Sequence, residues 1–238
     1  MEISAMVAFG AENTHIYHAG IGDMQGVPLS ACWSVLNAAE QARAKRFRFD
    51  IHRNRYIRAH GVLRHILARY LDVPADQLFF ETGERGKPFL RDSGLYFNMS
   101  HSADTAAYAI SREGEIGIDI EMLDRKVEID DLSRHYYTTA EQGELAVLDE
   151  QSRRSLFFHL WTAKEARMKV TGEGLALDPR EIDVEIEGGQ LIGYRRPEQP
   201  KAGLQQVPLT RVKGACSVAA LFDPRAMVKP LELITSLK

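Results

Sequence analysis

Cysteine is scarce in this sequence, and long apolar runs are missing. The 238 residues include two cysteines, Cys32 and Cys216, which lie far apart and form no CxxC pair. A disulfide scaffold and a cysteine zinc site are therefore excluded. No stretch approaches the ~18 consecutive apolar residues of a bilayer-spanning helix, and residues 1–10 lack the features of a secretory signal. We therefore expect a cytoplasmic protein without a membrane partner.

The rest of the composition is that of an ordinary folded protein. Hydrophobic residues make up 45% of the chain and charged residues 26%, which excludes disorder as the dominant state. A length of 238 residues allows one large domain or two halves of about 120 residues. No stretch of linker composition separates two independent domains.

Acidic residues are almost missing from one basic window, residues 43–69. The window has nine Lys or Arg residues and one acid, Asp50, for a charge of +8, and the remainder carries −11. Apolar residues between Arg53 and Tyr70 recur at helical spacing, which predicts a helix with Arg55 and Arg58 on its polar face. This basic face suits a phosphate-rich partner, with a solvated helix surface as the alternative.

The pattern of the whole chain predicts an α+β fold. Two capping boxes, Asn37 with Glu40 and Thr138 with Glu141, predict helix starts. Helices are predicted at 37–47, 53–70, 138–148 and 152–170. Strands are predicted at 2–9, 14–19, 78–81, 95–99, 105–111, 116–122, 182–186, 190–194 and 215–222. Each half has a helix followed by strands, which is a hint of duplication.

The segment Gly117-Ile118-Asp119-Ile120-Glu121 combines two carboxylates with strand alternation. Successive side chains of a strand point to opposite faces, so Asp119 and Glu121 share one face. Neighbouring carboxylates repel unless a cation lies between them, and oxygen ligands suit Mg²⁺ or Mn²⁺. The segment predicts either a metal site or an edge strand with a solvated acidic face.

A second cluster lies on the last predicted helix. Trp161, Glu165 and Lys169 recur at intervals of four residues, so they follow one stripe of that helix. The pair Glu165 and Lys169 fits a surface ion pair worth ~0.3–0.5 kcal/mol. An indole beside a carboxylate and an ammonium fits the wall of a cleft, and both interpretations stay open.

Ser100 and His101 end a predicted strand. Adjacent residues rarely hold the geometry of a proton relay, and no nucleophile-elbow glycine pattern surrounds Ser100, which argues against a serine hydrolase. A hydroxyl and an imidazole at a strand end can instead bind phosphate oxygens, as can Lys87 in the turn Gly86-Lys87-Pro88.

The order of these motifs resembles that of the 4′-phosphopantetheinyl transferases of the surfactin-synthetase-activating type. The motifs are Gly86-Lys87-Pro88, Phe97-Asn98-Met99-Ser100-His101-Ser102, Gly117-Ile118-Asp119-Ile120-Glu121, and the segment from Phe158 through Trp161, Lys164, Glu165 and Lys169 to Leu175. The resemblance spans about residues 36–178. It implies two pseudo-symmetric halves, 1–110 and 111–238, each an antiparallel sheet packed with helices. It also implies a monomer whose single active site lies between the halves.

The resemblance implies an enzyme with coenzyme A as co-substrate. Such an enzyme transfers the 4′-phosphopantetheine arm to a serine of an apo carrier protein and releases adenosine 3′,5′-bisphosphate in a Mg²⁺-dependent reaction. The carrier would be an acyl, polyketide or peptidyl carrier of fatty-acid, polyketide or nonribosomal peptide synthesis. The sequence does not distinguish among these carriers.

The family's functional residues map onto matching positions. Asp119, Glu121 and Glu165 would hold Mg²⁺, with Mn²⁺ as an alternative. Glu165 would take the serine proton, be a metal ligand, or do both. Asp119, Glu165 and Lys169 form the catalytic set, in which Lys169 would neutralise the α- or β-phosphate of coenzyme A.

The expected coenzyme A ligands come mainly from the first half. Arg55 and His101 would bind the 3′-phosphate. Lys87 would lie near the adenine or its phosphates with Ser100 beside it, and Arg43 is a further candidate.

Two other functions are consistent with parts of the sequence. A nucleic-acid-binding protein would use the basic face of residues 43–69, and would show a steep salt dependence of duplex binding. It would leave the carboxylates and Trp161 unused, so we expect no nucleic-acid partner. A non-catalytic protein that binds coenzyme A and a carrier is the second alternative.

Overall fold

The computed structural model describes residues 14–23, 27–195, 203–207, 209, 212, 214–221 and 228–230. The strands are β1 Thr14–Gly20, β2 Glu81–Thr82, β3 Pro88–Phe89, β4 Tyr96–Ser102, β5 Thr105–Ser111, β6 Ile116–Met122, β7 Val184–Glu187, β8 Gln190–Tyr194, β9 Gly203–Gln206, β10 Ala215–Leu221 and β11 Val228–Pro230. The helices are α1 Leu29–Ser34, α2 Ala38–Lys45, α3 Asp50–Leu71, α4 Ile129–Tyr136, α5 Thr139–Ala146 and α6 Glu150–Thr171. The predicted strand at residues 2–9 lies outside the described residues.

The first half supplies most of a sheet covered by α3, and β11 from the second half adds a strand at its edge beside β1. The strand order of this sheet is β11-β1-β5-β4, antiparallel except for the parallel pair of β1 and β11. The central strand β5 alternates between two layers, as a strand with both faces buried must. Tyr108 and Ile110 join the core beneath α3, whereas Ala107 and Ala109 face the second sheet.

The second half repeats this arrangement around α6. Its main sheet has the antiparallel order β6-β10-β9. Gly117 of β6 lets the helix approach closely, because a Cβ built on it would lie 1.9 Å from the carbonyl oxygen of Ala166. Ile118 and Ile120 are buried between the two sheets, as their alternation predicts. The predicted α+β fold with an antiparallel sheet and packed helices in each half is confirmed.

The two sheets meet at β4 and β6 through side chains. Asn98, Ser100 and Ser102 project at alternate positions of β4, and Asp119 and Glu121 do so on β6. We call these five residues the polar seam. Ser100 Oγ donates to Asp119 Oδ1 over 2.6 Å, and Ser102 Oγ donates to Glu121 Oε2 over 2.8 Å. Asn98 Oδ1 accepts from the backbone N–H of the residue before Asp119 over 3.0 Å. The seam therefore fixes the register between the halves at the predicted carboxylates.

Local capping signals are reliable in this chain. Both predicted capping boxes are present, at the starts of α2 and α5. The strands at 105–111 and 116–122 have their predicted bounds. The predicted strand at 78–81 is wrong for most of its length, because only Glu81 joins a ladder, in the short β2. Helices α1 and α4 are not predicted from the sequence.

The basic face of α3 needs a correction at Arg58. Its side chain is buried and donates to the carbonyl oxygen of Val27 over 3.0 Å and to Asp23 over 2.7 Å. Arg64 is also buried, and its guanidinium is paired with Glu40. The basic window is thus partly internal. Across the ranges that the structure describes, every helix is too short or too polar to cross a membrane.

Candidate active site

A cavity of about 790 Å³ lies along the polar seam, between α3 and the second half. Residues from α2, α3, β4, β6 and α6 line it. Six of the nine predicted site residues are among them, namely Arg43, Arg55, Ser100, His101, Glu121 and Lys169. Most of the cationic groups come from the first half, and the carboxylates come from the second.

Lys169 joins α6 to the polar seam. Its Nζ donates to Asp119 Oδ1 over 2.6 Å and to Ser100 Oγ over 2.9 Å. Lys169 therefore turns inward to Asp119, and the alternative of a surface pair with Glu165 is wrong. Burial raises the pKa of Asp119, although Lys169 and Ser100 oppose this effect.

Glu121 and Glu165 complete the group of carboxylates. Glu121 accepts from Ser102 and is paired with Arg125. Glu165 is half-buried on α6, one turn before Lys169. Burial and the neighbouring charge of Asp119 raise the pKa of Glu165, and Glu121 adds to this effect. A carboxylate with a raised pKa is a better proton acceptor than an ordinary one near neutral pH.

The donor chemistry of these carboxylates fits a hard divalent cation. Oδ2 of Asp119 is buried and has no hydrogen-bond partner in the described part of the chain, so one donor oxygen is uncommitted. Within the described ranges, no three His, Cys, Asp or Glu side chains are gathered closely enough to hold a metal ion. The donor types thus suit Mg²⁺, and the three carboxylates do not form a coordination shell.

The opposite wall of the cavity presents basic side chains. Arg55 is paired with Asp104, and the guanidinium of Arg43 lies over the ring of Tyr56. Loss of water in the cavity lowers the pKa of His101, and the nearby basic groups, Arg55 among them, lower it further. An anion in the cavity would favour the protonated imidazole. This wall is therefore suited to a phosphate group.

Lys87 lies outside this cavity. Its Nζ donates to Glu115 over 2.5 Å and to the carbonyl oxygen of Val170 over 2.7 Å. The second bond gives a partner to a backbone carbonyl in the last turn of α6. A cation is favourable at this end of a helix, because the helix dipole places partial negative charge there. Lys87 thus links the β2–β3 hairpin to the end of α6, and its contact with coenzyme A stays a prediction.

Trp161 is partly exposed on α6 and is not among the residues that line this cavity. Its ring packs edge-on against Tyr136, with 5.2 Å between centroids. Leu156 and Leu160 of the same helix are buried.

Three residues in or beside the cavity are not predicted from the sequence. His52 and His60 line the cavity from α3, and Asp104 holds Arg55. The contact of Asp104 with Arg55 joins residues 49 positions apart, and no local spacing could reveal it. Both histidines lie inside the basic window, and His52, three residues before Arg55, could have been found as its neighbour at helical spacing.

Two family models match the chain in succession. A model described as 4′-phosphopantetheinyl transferase, N-terminal, matches residues 27–113. A model of the 4′-phosphopantetheinyl transferase superfamily matches residues 115–208. The chain belongs to the 4′-phosphopantetheinyl transferase superfamily.

Curated relatives agree with this membership. The 4′-phosphopantetheinyl transferase HetI of Nostoc sp. is 40% identical over 60% of this chain and 62% of its own length. The 4′-phosphopantetheinyl transferase psf-1 of Bacillus pumilus is 33% identical over 58% of each chain. The 4′-phosphopantetheinyl transferase Sfp of Bacillus subtilis is 25% identical over 69% of this chain and 73% of its own. The chain spans about three fifths of the length of the first two relatives.

Proposed function

We propose that this protein transfers the 4′-phosphopantetheine arm of coenzyme A to a serine of an apo carrier protein and releases adenosine 3′,5′-bisphosphate. The carriers are acyl, polyketide or peptidyl carriers. One observation carries the proposal: a single cavity brings the basic wall of Arg55 and His101 against Glu121 and Lys169, and Lys169 is paired with Asp119. A molecule that has both a pyrophosphate and a separate phosphate group fits this division of charge.

The second half would handle the reacting pyrophosphate. Asp119, Glu121 and Glu165 are the proposed Mg²⁺ ligands, with Mn²⁺ as an alternative, and the bound metal would offset charge on the leaving phosphate. Lys169 would neutralise a phosphate oxygen beside them. To do so, Lys169 would replace its bond to Asp119 by a bond to the phosphate. This needs only a local movement, because Lys169 already lines the cavity.

Glu165 is the proposed general base. The acceptor serine oxygen forms a bond to the phosphorus that bears the pantetheine arm, and the bond from that phosphorus to the leaving bisphosphate breaks. The serine proton passes to the carboxylate of Glu165, whose pKa is raised by burial and by Asp119. A raised pKa favours that transfer.

The first half would bind the other end of coenzyme A. Arg55 and His101 are the proposed ligands of the 3′-phosphate, and Arg43 and Ser100 line the same cavity. Lys87 is retained as a proposed ligand near the adenine, although its present partners are at the end of α6.

The placement of the cavity supports a further proposal about organisation. The halves 1–110 and 111–238 would act as one monomer with one shared site in the cytoplasm. The nucleic-acid alternative gains no support, since Arg58 and Arg64 of the basic window are buried.

A labelling experiment tests the proposed function. The protein is incubated with Mg²⁺, coenzyme A and a panel of apo carriers, and phosphopantetheine on serine is detected by mass spectrometry. Asp119→Asn should reduce labelling by about 100-fold or more, since it removes a charge at the reacting pyrophosphate. The matched control Asp76→Asn changes an exposed acid of the first half and should leave labelling unchanged.

Three outcomes would count against the proposal. Wild-type protein that binds coenzyme A and labels no carrier would support the non-catalytic alternative. Normal labelling by Asp119→Asn would remove the proposed metal site. Labelling that persists with the metal chelated would remove the metal from the reaction.

A further inference from the structure

Asp104 occupies a strained turn beside the cavity. The turn between β4 and β5 consists of Ala103 and Asp104, and Ala103 has a φ of 48°. A positive φ favours glycine, and a non-glycine residue keeps it only where its surroundings hold the backbone in place. The carbonyl oxygen of Asp104 accepts from the backbone N–H of Ile21 over 2.8 Å, which anchors the turn to the end of β1.

The carboxylate of Asp104 holds one side of the Arg55 guanidinium. Oδ1 accepts from Nε and from Nη2 of Arg55, each over 2.8 Å. The remaining nitrogen, Nη1, has no partner among the described residues. Because a guanidinium is planar and rigid, fixing two of its nitrogens fixes the direction in which the third donates.

The carboxylate is itself held in place by the backbone. A Cβ built on Gly22 would lie 2.6 Å from Cγ of Asp104 and 2.7 Å from its Oδ1. Gly22 thus packs directly against the carboxylate and leaves no space for a side chain. Asp104 contacts this glycine on one side and Arg55 on the other; its side chain is 48% exposed and that of Arg55 is 20% exposed.

From these contacts we infer that Asp104 is a positioning residue for Arg55, and that it sets the preference for a ligand with a terminal phosphate. This inference rests on the proposed function, in which Arg55 binds the 3′-phosphate of coenzyme A. Asp104 holds Nε and Nη2, so that Nη1 is presented to the cavity in one orientation. A donor fixed before binding loses less conformational freedom when the phosphate arrives.

The test compares coenzyme A with 3′-dephospho-coenzyme A. Asp104→Ala should raise KM for coenzyme A about tenfold and change kcat by less than about twofold, because an Arg55 side chain that is no longer held in place loses more conformational freedom when it binds the phosphate. KM for 3′-dephospho-coenzyme A should stay within about twofold, because that ligand lacks the phosphate. Asp104→Glu keeps the charge, so it should retain part of the preference for coenzyme A over 3′-dephospho-coenzyme A that Asp104→Ala loses.

Asp23→Ala is the matched control. Asp23 pairs with Arg58 of the same helix over 2.7 Å, and Arg58 is outside the cavity lining. The control loses a similar ion pair and should keep the ratio of the two KM values. Thermal unfolding of all variants shows whether a change in the ratio of the two KM values is due to a loss of stability. If Asp104→Ala does not fold, the isosteric Asp104→Asn decides in its place, with the same direction expected.

Specific outcomes overturn the inference. A lower KM for coenzyme A in Asp104→Ala would mean that the carboxylate competes with the phosphate. An equal change in KM for both ligands, or an unchanged KM for both, would also refute the inference. Calorimetric binding of the two ligands to the wild-type protein without a carrier distinguishes failure of the proposed function, since a protein that binds neither has no coenzyme A site.

Discussion

Replacing Gly117 by alanine should damage the fold and the cavity together. The new Cβ would lie 1.9 Å from the carbonyl oxygen of Ala166, 2.9 Å from the backbone nitrogen of Val170 and 3.0 Å from the carbonyl carbon of Ala166. All three atoms are backbone of α6, so no side-chain rotation relieves the contact. Ordinary contact begins at about 3.4 Å, so β6 and α6 must separate by about 1.5 Å.

The expected loss of stability is large for one methyl group. Overpacking usually costs about 1–3 kcal/mol, and we expect about 3 kcal/mol or more here because both partners are rigid backbone. The same separation would move Lys169 Nζ, now 2.6 Å from Asp119 Oδ1, beyond hydrogen-bonding distance. Labelling of a carrier should therefore fall even at temperatures where the variant is folded.

Urea unfolding followed by circular dichroism measures the first effect, and mass-spectrometric labelling measures the second. Gly143→Ala is the matched control, since Gly143 is an exposed position of α5 with open space around its Cβ. The control should gain up to about 1 kcal/mol from helix propensity. Wild-type stability and labelling in Gly117→Ala would refute the close approach of α6 to β6.

A buried histidine and a buried ion pair give further predictions. Burial lowers the pKa of His18 to about 4, so the unfolded state binds the extra proton first as the pH falls below about 6.5. Stability should therefore be full above pH 6.5 and decrease by about 2 kcal/mol by pH 5, and His18→Gln should flatten this part of the urea-unfolding profile. An unchanged profile in that variant would contradict the assignment. Lys164 and Glu141 form an ion pair in which the side chains are 2% and 1% exposed. Lys164→Met should destabilise the protein by about 3–5 kcal/mol, because Glu141 stays buried without its partner. A double-mutant cycle with Glu141→Gln measures the coupling, and additive losses would show that the pair does not interact.

Local patterns were sufficient for the strands and caps that position the site. Strand alternation places Asp119 and Glu121 on one face, and β6 has the predicted bounds. The interval of four residues places Glu165 and Lys169 on one side of α6, as the structure has them. Such features depend on residues that are close together in the sequence, so they can be recognised from one sequence alone.

Contacts between distant segments were beyond these patterns. Helical spacing predicts Arg58 on the polar face of its helix, because spacing ignores the loop whose carbonyl, at Val27, accepts from it. Asp104 has no local signal, because its partner Arg55 lies 49 positions away along the chain. The partners of Lys87 at Glu115 and Val170 likewise depend on where the hairpin lies relative to α6. The positions of these three side chains depend on tertiary packing, which local spacing does not encode.

The polar seam joins the two sheets through side chains. Neighbouring strands within each sheet are joined by backbone hydrogen bonds, which do not depend on the residue type. The bonds from Ser100 to Asp119 and from Ser102 to Glu121 do depend on it. Substitution of these residues would therefore change the contact between the sheets and leave every backbone ladder intact. The residues proposed to hold the metal are thus also residues that hold the two sheets together.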